Sequence, residues 1–119
     1  MALFTYRARL SDRSNTHPIY DADTVRIVAD LGFGLTSELG PCRLYGLDAP
    51  EVRGPERPQG LAARDFLRDL IEPGAWFTIR TFKDDKGKYG RYLVEISLDD
   101  GTNVNDLLIE TGHAVARTY

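Results

Sequence analysis

The sequence predicts a mainly β fold with helices (α+β), and three observations lead there. Several segments alternate apolar and polar residues with a period of two, clusters of turn-forming residues separate them, and two further segments carry the 3.6-residue period of amphipathic helices. The 119 residues suit one domain, spanning 1–119, because a chain of this size buries roughly two thirds of its unfolded surface around a single core. Hydrophobic residues make up 42% and charged residues 28%, a balance that folds rather than staying disordered.

The strands are read in order. Residues 24–29 place Val25 and Ile27 on one face. Residues 41–47 form a second strand, ended at Asp48-Ala49-Pro50 because proline has no amide hydrogen for the ladder, so Asp48 falls at a strand end. Residues 76–82 and 92–98 are read as antiparallel neighbours, the latter burying Tyr92, Val94, Ile96 and Leu98. Asp84-Asp85-Lys86-Gly87-Lys88-Tyr89-Gly90 and Asp99-Asp100-Gly101 supply turns. One helix is predicted over residues 60–71, with Ala62, Ala63, Phe66, Leu67, Leu70 and Ile71 at helical spacing and Pro73-Gly74 as its stop. A shorter one covers residues 104–111, with Asn103 as N-cap, Val104, Leu107 and Leu108 inward, and Gly112 at C′. Short antiparallel strands with a helix inserted between the third and fourth predict a five-stranded OB-fold barrel with a short C-terminal helix, since closure removes exposed edges. A two-layer α+β sheet fits the same periodicity.

Composition narrows the chemistry. Cys42 is the one cysteine, which rules out an intramolecular disulfide and a cysteine-built zinc site, so a metal must sit on oxygen or histidine. Cys42 is expected to face the barrel interior. The first residues lack a basic region followed by a long apolar run, which predicts no membrane association and a cytoplasmic location, with secretion the alternative if a signal has been removed; a monomer is expected. The formal net charge of −3 speaks against a protein that coats nucleic acid by bulk electrostatics. Locally, Arg80, Lys83, Lys86, Lys88 and Arg91 form either a basic lip or a plain solvated loop.

Three motifs could carry chemistry. Asp21-Ala22-Asp23-Thr24 sets two carboxylates just before a strand, where they either face one site or cap their own turn. Arg43-Leu44-Tyr45-Gly46-Leu47-Asp48-Ala49-Pro50-Glu51 gathers a guanidinium, two carboxylates and a proline-fixed turn. Hard cations take oxygen ligands, which Asp23, Asp48 and a backbone carbonyl can supply. Glu51, beside such a cation, could hold or deprotonate an attacking water; the bland alternative is a solvated loop acid. Arg43 and Arg91 offer planar donor forks for a phosphate whose charge grows during cleavage, or Arg43 simply pairs with a nearby acid. Lys88-Tyr89-Gly90-Arg91 joins cations to an aromatic that could stack a base, or forms an ordinary turn. His17 and His113 have no partner in the sequence that makes a catalytic constellation.

Taken in order and with their spacing, Asp21-Ala22-Asp23-Thr24-Val25, Arg43-Leu44 with Asp48-Ala49-Pro50-Glu51, and Lys88-Tyr89-Gly90-Arg91 resemble the staphylococcal nuclease (thermonuclease) family. The resemblance runs from about Tyr20 onward and includes Asn103-Val104-Asn105-Asp106-Leu107-Leu108. It implies an OB barrel and a calcium-dependent endonuclease cleaving DNA and RNA, preferentially single-stranded, with little sequence specificity and 3′-phosphate products. It further implies Asp23, Asp48 and the Ala49 carbonyl as calcium ligands, with Asp21 near the metal. Glu51 is then the base or water-positioning group, Arg43 and Arg91 bind the scissile phosphate, and Lys88 and Tyr89 contact the nucleotide. Ala22 stands where the family carries glycine, Ala49 replaces a hydroxyl residue, the charge is acidic, and the family's third helix is not expected before Tyr119. The competing expectation is an OB-fold module that binds nucleic acid or protein without cutting.

Overall fold

Two strands precede the first one that periodicity predicts. The computed structural model describes residues 4–13, 15–83 and 92–118, and begins with β1 (Phe4–Leu10) and the short β2 (Ile19–Asp21). Alternation is visible in β1 once its partners are known: Ala8 and Leu10 point into the core, while Phe4 stays in solvent. β3 (Thr24–Gly32) and β4 (Leu35–Leu44) form a long hairpin; β3 runs past the predicted 24–29, while β4 starts well before the predicted 41–47 and stops at Leu44, because the chain turns at Tyr45-Gly46. Pro41 therefore lies inside β4 rather than at its start. It is accommodated next to a register shift at Ile27/Val28, where Gly40 has φ +69.

After β5 (Leu47–Asp48) come a single 3-10 turn (Gly54–Glu56) and α1 (Arg57–Leu70). The helix starts three residues before the predicted Gly60 because Pro58 occupies its first turn, where a missing N–H does no harm. β6 (Phe77–Lys83), β7 (Tyr92–Ser97), α2 (Val104–Glu110) and β8 (Val115–Ala116) complete the order.

The sheet runs β1-β6-β7-β4-β3, and β1 also pairs with β3, so five strands close on themselves. All contacts around the ring are antiparallel except β4 with β7, which is parallel at Arg43↔Leu93 and Leu44↔Val94. This is the OB-type barrel. Leu10, Val25, Ile27, Leu44, Phe77, Ile79, Val94 and Ile96 fill it, Cys42 lies inside as expected, and Ala63, Leu67, Ile71, Val104 and Leu108 from the two helices join the same cluster.

Four expected core positions differ. Tyr92 is exposed and Leu98 only half-buried, whereas Leu93 is buried. Leu93 faces its cross-strand partner Phe82 on the outer side of the sheet, and Tyr45 stacks on Phe82 at 4.1 Å, so the apolar set here is two-sided. In the helices, Ala62 is exposed and Leu107 half-buried, while Gly60 and Asn105 are the buried ones.

Candidate active site

β3 and β4 pair in a register that sets Thr24 opposite Arg43, and the Leu44 N–H donates to the Asp23 carbonyl at 2.9 Å. Two motifs separated by twenty positions thereby meet at one end of the barrel. The Asp23 side chain is nearly buried; its Oδ2 accepts from the Ala49 N–H at 3.1 Å and lies 3.8 Å from Arg43 Nη2. The same Nη2 donates to Asp48 Oδ1. The two carboxylates therefore converge on one cationic centre.

Asp21 closes the constellation from the other side. Its Oδ1 accepts from the Asp23 N–H at 3.1 Å, so the turn-capping reading of this pair is realised, and both carboxylates also line one cleft. Burial above all, then the hydrogen bond and charge of Asp23, push the Asp21 carboxyl up to about 7. Ala22 fits without difficulty: Phe33 has the one positive φ among the described non-glycine residues, and the Ala22 methyl is fully buried in the core. The turn thus has no need of the glycine's left-handed freedom.

Asp48 is held by what surrounds it. Gly46, at φ +82, bends the chain after Tyr45, whose N–H donates to the Val94 carbonyl at 2.8 Å. Asn105, buried on α2, donates through Nδ2 to the Tyr45 and Val94 carbonyls and accepts from the Ile96 N–H. β5 then pairs with β8 through Leu47↔Ala116 and Asp48↔Val115. Arg117, just beyond β8, donates from Nη1 to Asp48 Oδ1 at 3.3 Å.

These groups line an open cleft of about 520 Å³. Five of its lining residues are acids, namely Asp21, Asp23, Asp48, Glu51 and Glu56, against the single guanidinium of Arg43 among the described residues. Glu51 is exposed at its edge, where α1 seats directly on the Glu51 peptide: a Cβ added at Gly60 would lie 2.0 Å from the Glu51 carbonyl oxygen. Gly112, His113, Ala114 and Val115 form the opposite wall, and the His113 ring packs on Phe66 at 4.4 Å. Arg43 Nε is buried without a hydrogen-bond partner among the described residues.

Of the sequence-selected residues, Asp21, Asp23, Arg43, Asp48, Ala49 and Glu51 come together here. Lys88, Tyr89 and Arg91 lie outside the described residues, as does most of the basic lip. Sequence reasoning missed Glu56, His113 and Arg117 in or beside the cleft, and Asn105 as its support. The nearest available signal was the Asn103–Asp106 run, whose first asparagine caps α2 by accepting from the Asp106 N–H, as predicted. His17 is structural: its Nδ1 accepts from the Ile19 N–H, and burial, with Arg68 and Arg64 nearby, lowers its pKa. Among the described residues, no three His, Cys, Asp or Glu side chains form a metal-holding group by themselves, and no helix is long and apolar enough to cross a membrane.

A closed OB barrel with an Asp-x-Asp turn facing an Arg…Asp segment defines a nuclease-like OB domain. The chain belongs to the staphylococcal nuclease homologue family, whose model matches residues 41–119. Among its relatives, the endonuclease YhcR of Bacillus subtilis (strain 168) is 28% identical over 104 residues, covering 81% of this chain and 8% of that protein. Uncharacterized endonucleases of Escherichia coli O157:H7 and Escherichia coli are each 28% identical over 96 residues, covering 81% of this chain and 55% of theirs. The chain thus spans about half the length, or far less, of these relatives.

Proposed function

We propose that the chain is a calcium-dependent endonuclease hydrolysing phosphodiester bonds of DNA and RNA, single strands preferentially, to leave 3′-phosphate ends. The observation that carries this is the convergence of Asp23 and Asp48 on one cationic centre within a cleft that, among the described residues, five acids and one arginine line. Left as it stands, that surplus of negative charge would repel a phosphodiester; a hard divalent cation on the two carboxylates would offset about half of it and place positive charge where the phosphate approaches. The donors fit such an ion, being all oxygen, with the Ala49 carbonyl and water available to complete the shell.

Calcium would supply charge neutralisation and a bound water of lowered pKa. Asp23 and Asp48 would hold the ion, and Asp21 fixes the Asp23 turn through its hydrogen bond. Glu51, at the cleft edge, orients the attacking water and accepts its proton. Arg43 would grip the phosphate: its buried Nε, without a partner among the described residues, and an adjacent N–H offer a bidentate fork for two phosphoryl oxygens. Family membership and the endonuclease relatives support the same reading.

The test is cleavage of single-stranded and duplex DNA and of RNA in calcium, in magnesium and in chelator, with Glu51→Gln and Asp23→Asn alongside. Calcium-dependent cleavage that falls at least a hundred-fold in Glu51→Gln is expected, within the range of a lost general base. Binding without cleavage under every condition would establish the non-catalytic module instead.

A further inference from the structure

Arg117 is the cation at this site that no motif singles out. It follows β8, and the Arg117 N–H donates to the Gly46 carbonyl at 2.8 Å, continuing the β5–β8 pairing by one step. Its side chain keeps 42% of its surface exposed, against 17% for Arg43, so it stands at the mouth of the cleft while Arg43 stands inside. Both guanidinium groups nevertheless donate to one and the same atom, Asp48 Oδ1.

Two planar donor groups directed at one anionic oxygen have the geometry of an oxyanion clamp, with the Asp48 carboxylate as the anion they hold here. We infer that Arg117 is a phosphate-binding residue of this site, gripping from the cleft mouth the same phosphodiester that Arg43 holds from within. The inference rests on the nucleic-acid reading above. It also makes Asp48 a shared point: a cation held by this carboxylate would compete with Arg117 for it, while adding to the positive charge that a phosphodiester meets.

That competition gives the inference a signature that mere support of Asp48 would lack. In a Glu51→Gln background, which keeps substrate intact, Arg117→Ala is compared with its parent for binding of a short single-stranded oligonucleotide in calcium, and for calcium binding by calorimetry without nucleic acid. Oligonucleotide Kd should rise roughly ten- to a hundred-fold, as for loss of one charge-assisted hydrogen bond. The slope of log K against log salt should fall by about 0.7 for a single strand. Calcium should meanwhile bind more tightly, because a competitor for Asp48 is gone. Arg117→Lys should keep the salt slope and lose only part of the affinity. An unchanged Kd and slope, or a parallel loss of both calcium and oligonucleotide affinity, would overturn the assignment and leave the nuclease reading standing. Failure of the parent itself to bind the oligonucleotide in calcium would remove that reading and this inference together.

Discussion

Replacing Gly60 with alanine should disable the site through a contact that has no polar atom on the helix side. Gly60 is buried in the first turn of α1, and a Cβ there would sit 2.0 Å from the Glu51 carbonyl oxygen, 2.4 Å from its carbon and 2.9 Å from the Val52 nitrogen. Ordinary contacts begin near 3.4 Å, so helix and loop must separate by roughly 1.4 Å. All three atoms are backbone, which leaves no flexible side chain to yield. Overpacking of this kind costs about 1–3 kcal/mol, offset by the gain of about 1 kcal/mol for alanine over glycine in a helix. Because the clash is with backbone, the cost should sit at or above the upper end of that range, leaving a net loss of about 2 kcal/mol or more. A catalytic carboxylate moved by about 1 Å, in contrast, loses on the order of a hundred-fold in rate. The assay is a double-mutant cycle: kcat on a single-stranded oligonucleotide in calcium for Gly60→Ala, Glu51→Gln and the pair, with denaturant unfolding of each. Gly60→Ala should lower kcat about a hundred-fold in the parent and scarcely at all in Glu51→Gln. A parent-like kcat, or an equal loss in both backgrounds, would refute the claim that this glycine acts by placing Glu51.

Two further outcomes follow from packing and burial. Asn105→Ala should orphan the Ile96 N–H and remove the amide's hydrogen bonds to the Tyr45 and Val94 carbonyls, destabilising the fold by about 2–4 kcal/mol in a urea titration; a loss below 1 kcal/mol would show that water replaces the amide. The Cys42 thiol is pushed up to about 12 by burial and by the charge of Glu38, against 9.0 for a free thiol. Raised acid pKa means the neutral form persists through alkaline pH, so at pH 8 alkylation of the native protein should be about a thousand-fold slower than of the unfolded chain. Equal rates in the two states would place Cys42 outside the core.

Local chemistry accounts for what the sequence made legible. The Asn103 cap, the Gly112 stop, the barrel interior at Val25, Ile27, Val94 and Ile96, and the Arg43–Glu51 segment each depend on neighbours within a few positions. Asp21 and Asp23 were legible as a pair, but their meeting with Arg43 depends on the Thr24↔Arg43 register, which alternation alone leaves open. β1 went unread because its alternation is short and one exposed end is Phe4, an apolar residue in a polar place. Arg117, His113 and Asn105 lay beyond reach for a different reason. Each matters to the site through partners more than forty positions away, Asp48, Phe66 and Tyr45, and a composition window holds no trace of such pairs.

The clasp of β8 on β5 also governs when the site comes into being during folding. Asp48 is secured by a strand and an arginine 67 and 69 positions downstream, and the turn before it by an asparagine 60 positions away. Closing chain segments of that length is entropically unfavourable until other contacts have already drawn the ends together, so these bonds form late. The β3–β4 hairpin can zip locally, carrying Asp23 to Arg43 early, but the second carboxylate has no fixed address until the final helix has docked. A refolding chain should thus recover its barrel before its chemistry, with the cleft the last part of the molecule to take shape and the first to be lost.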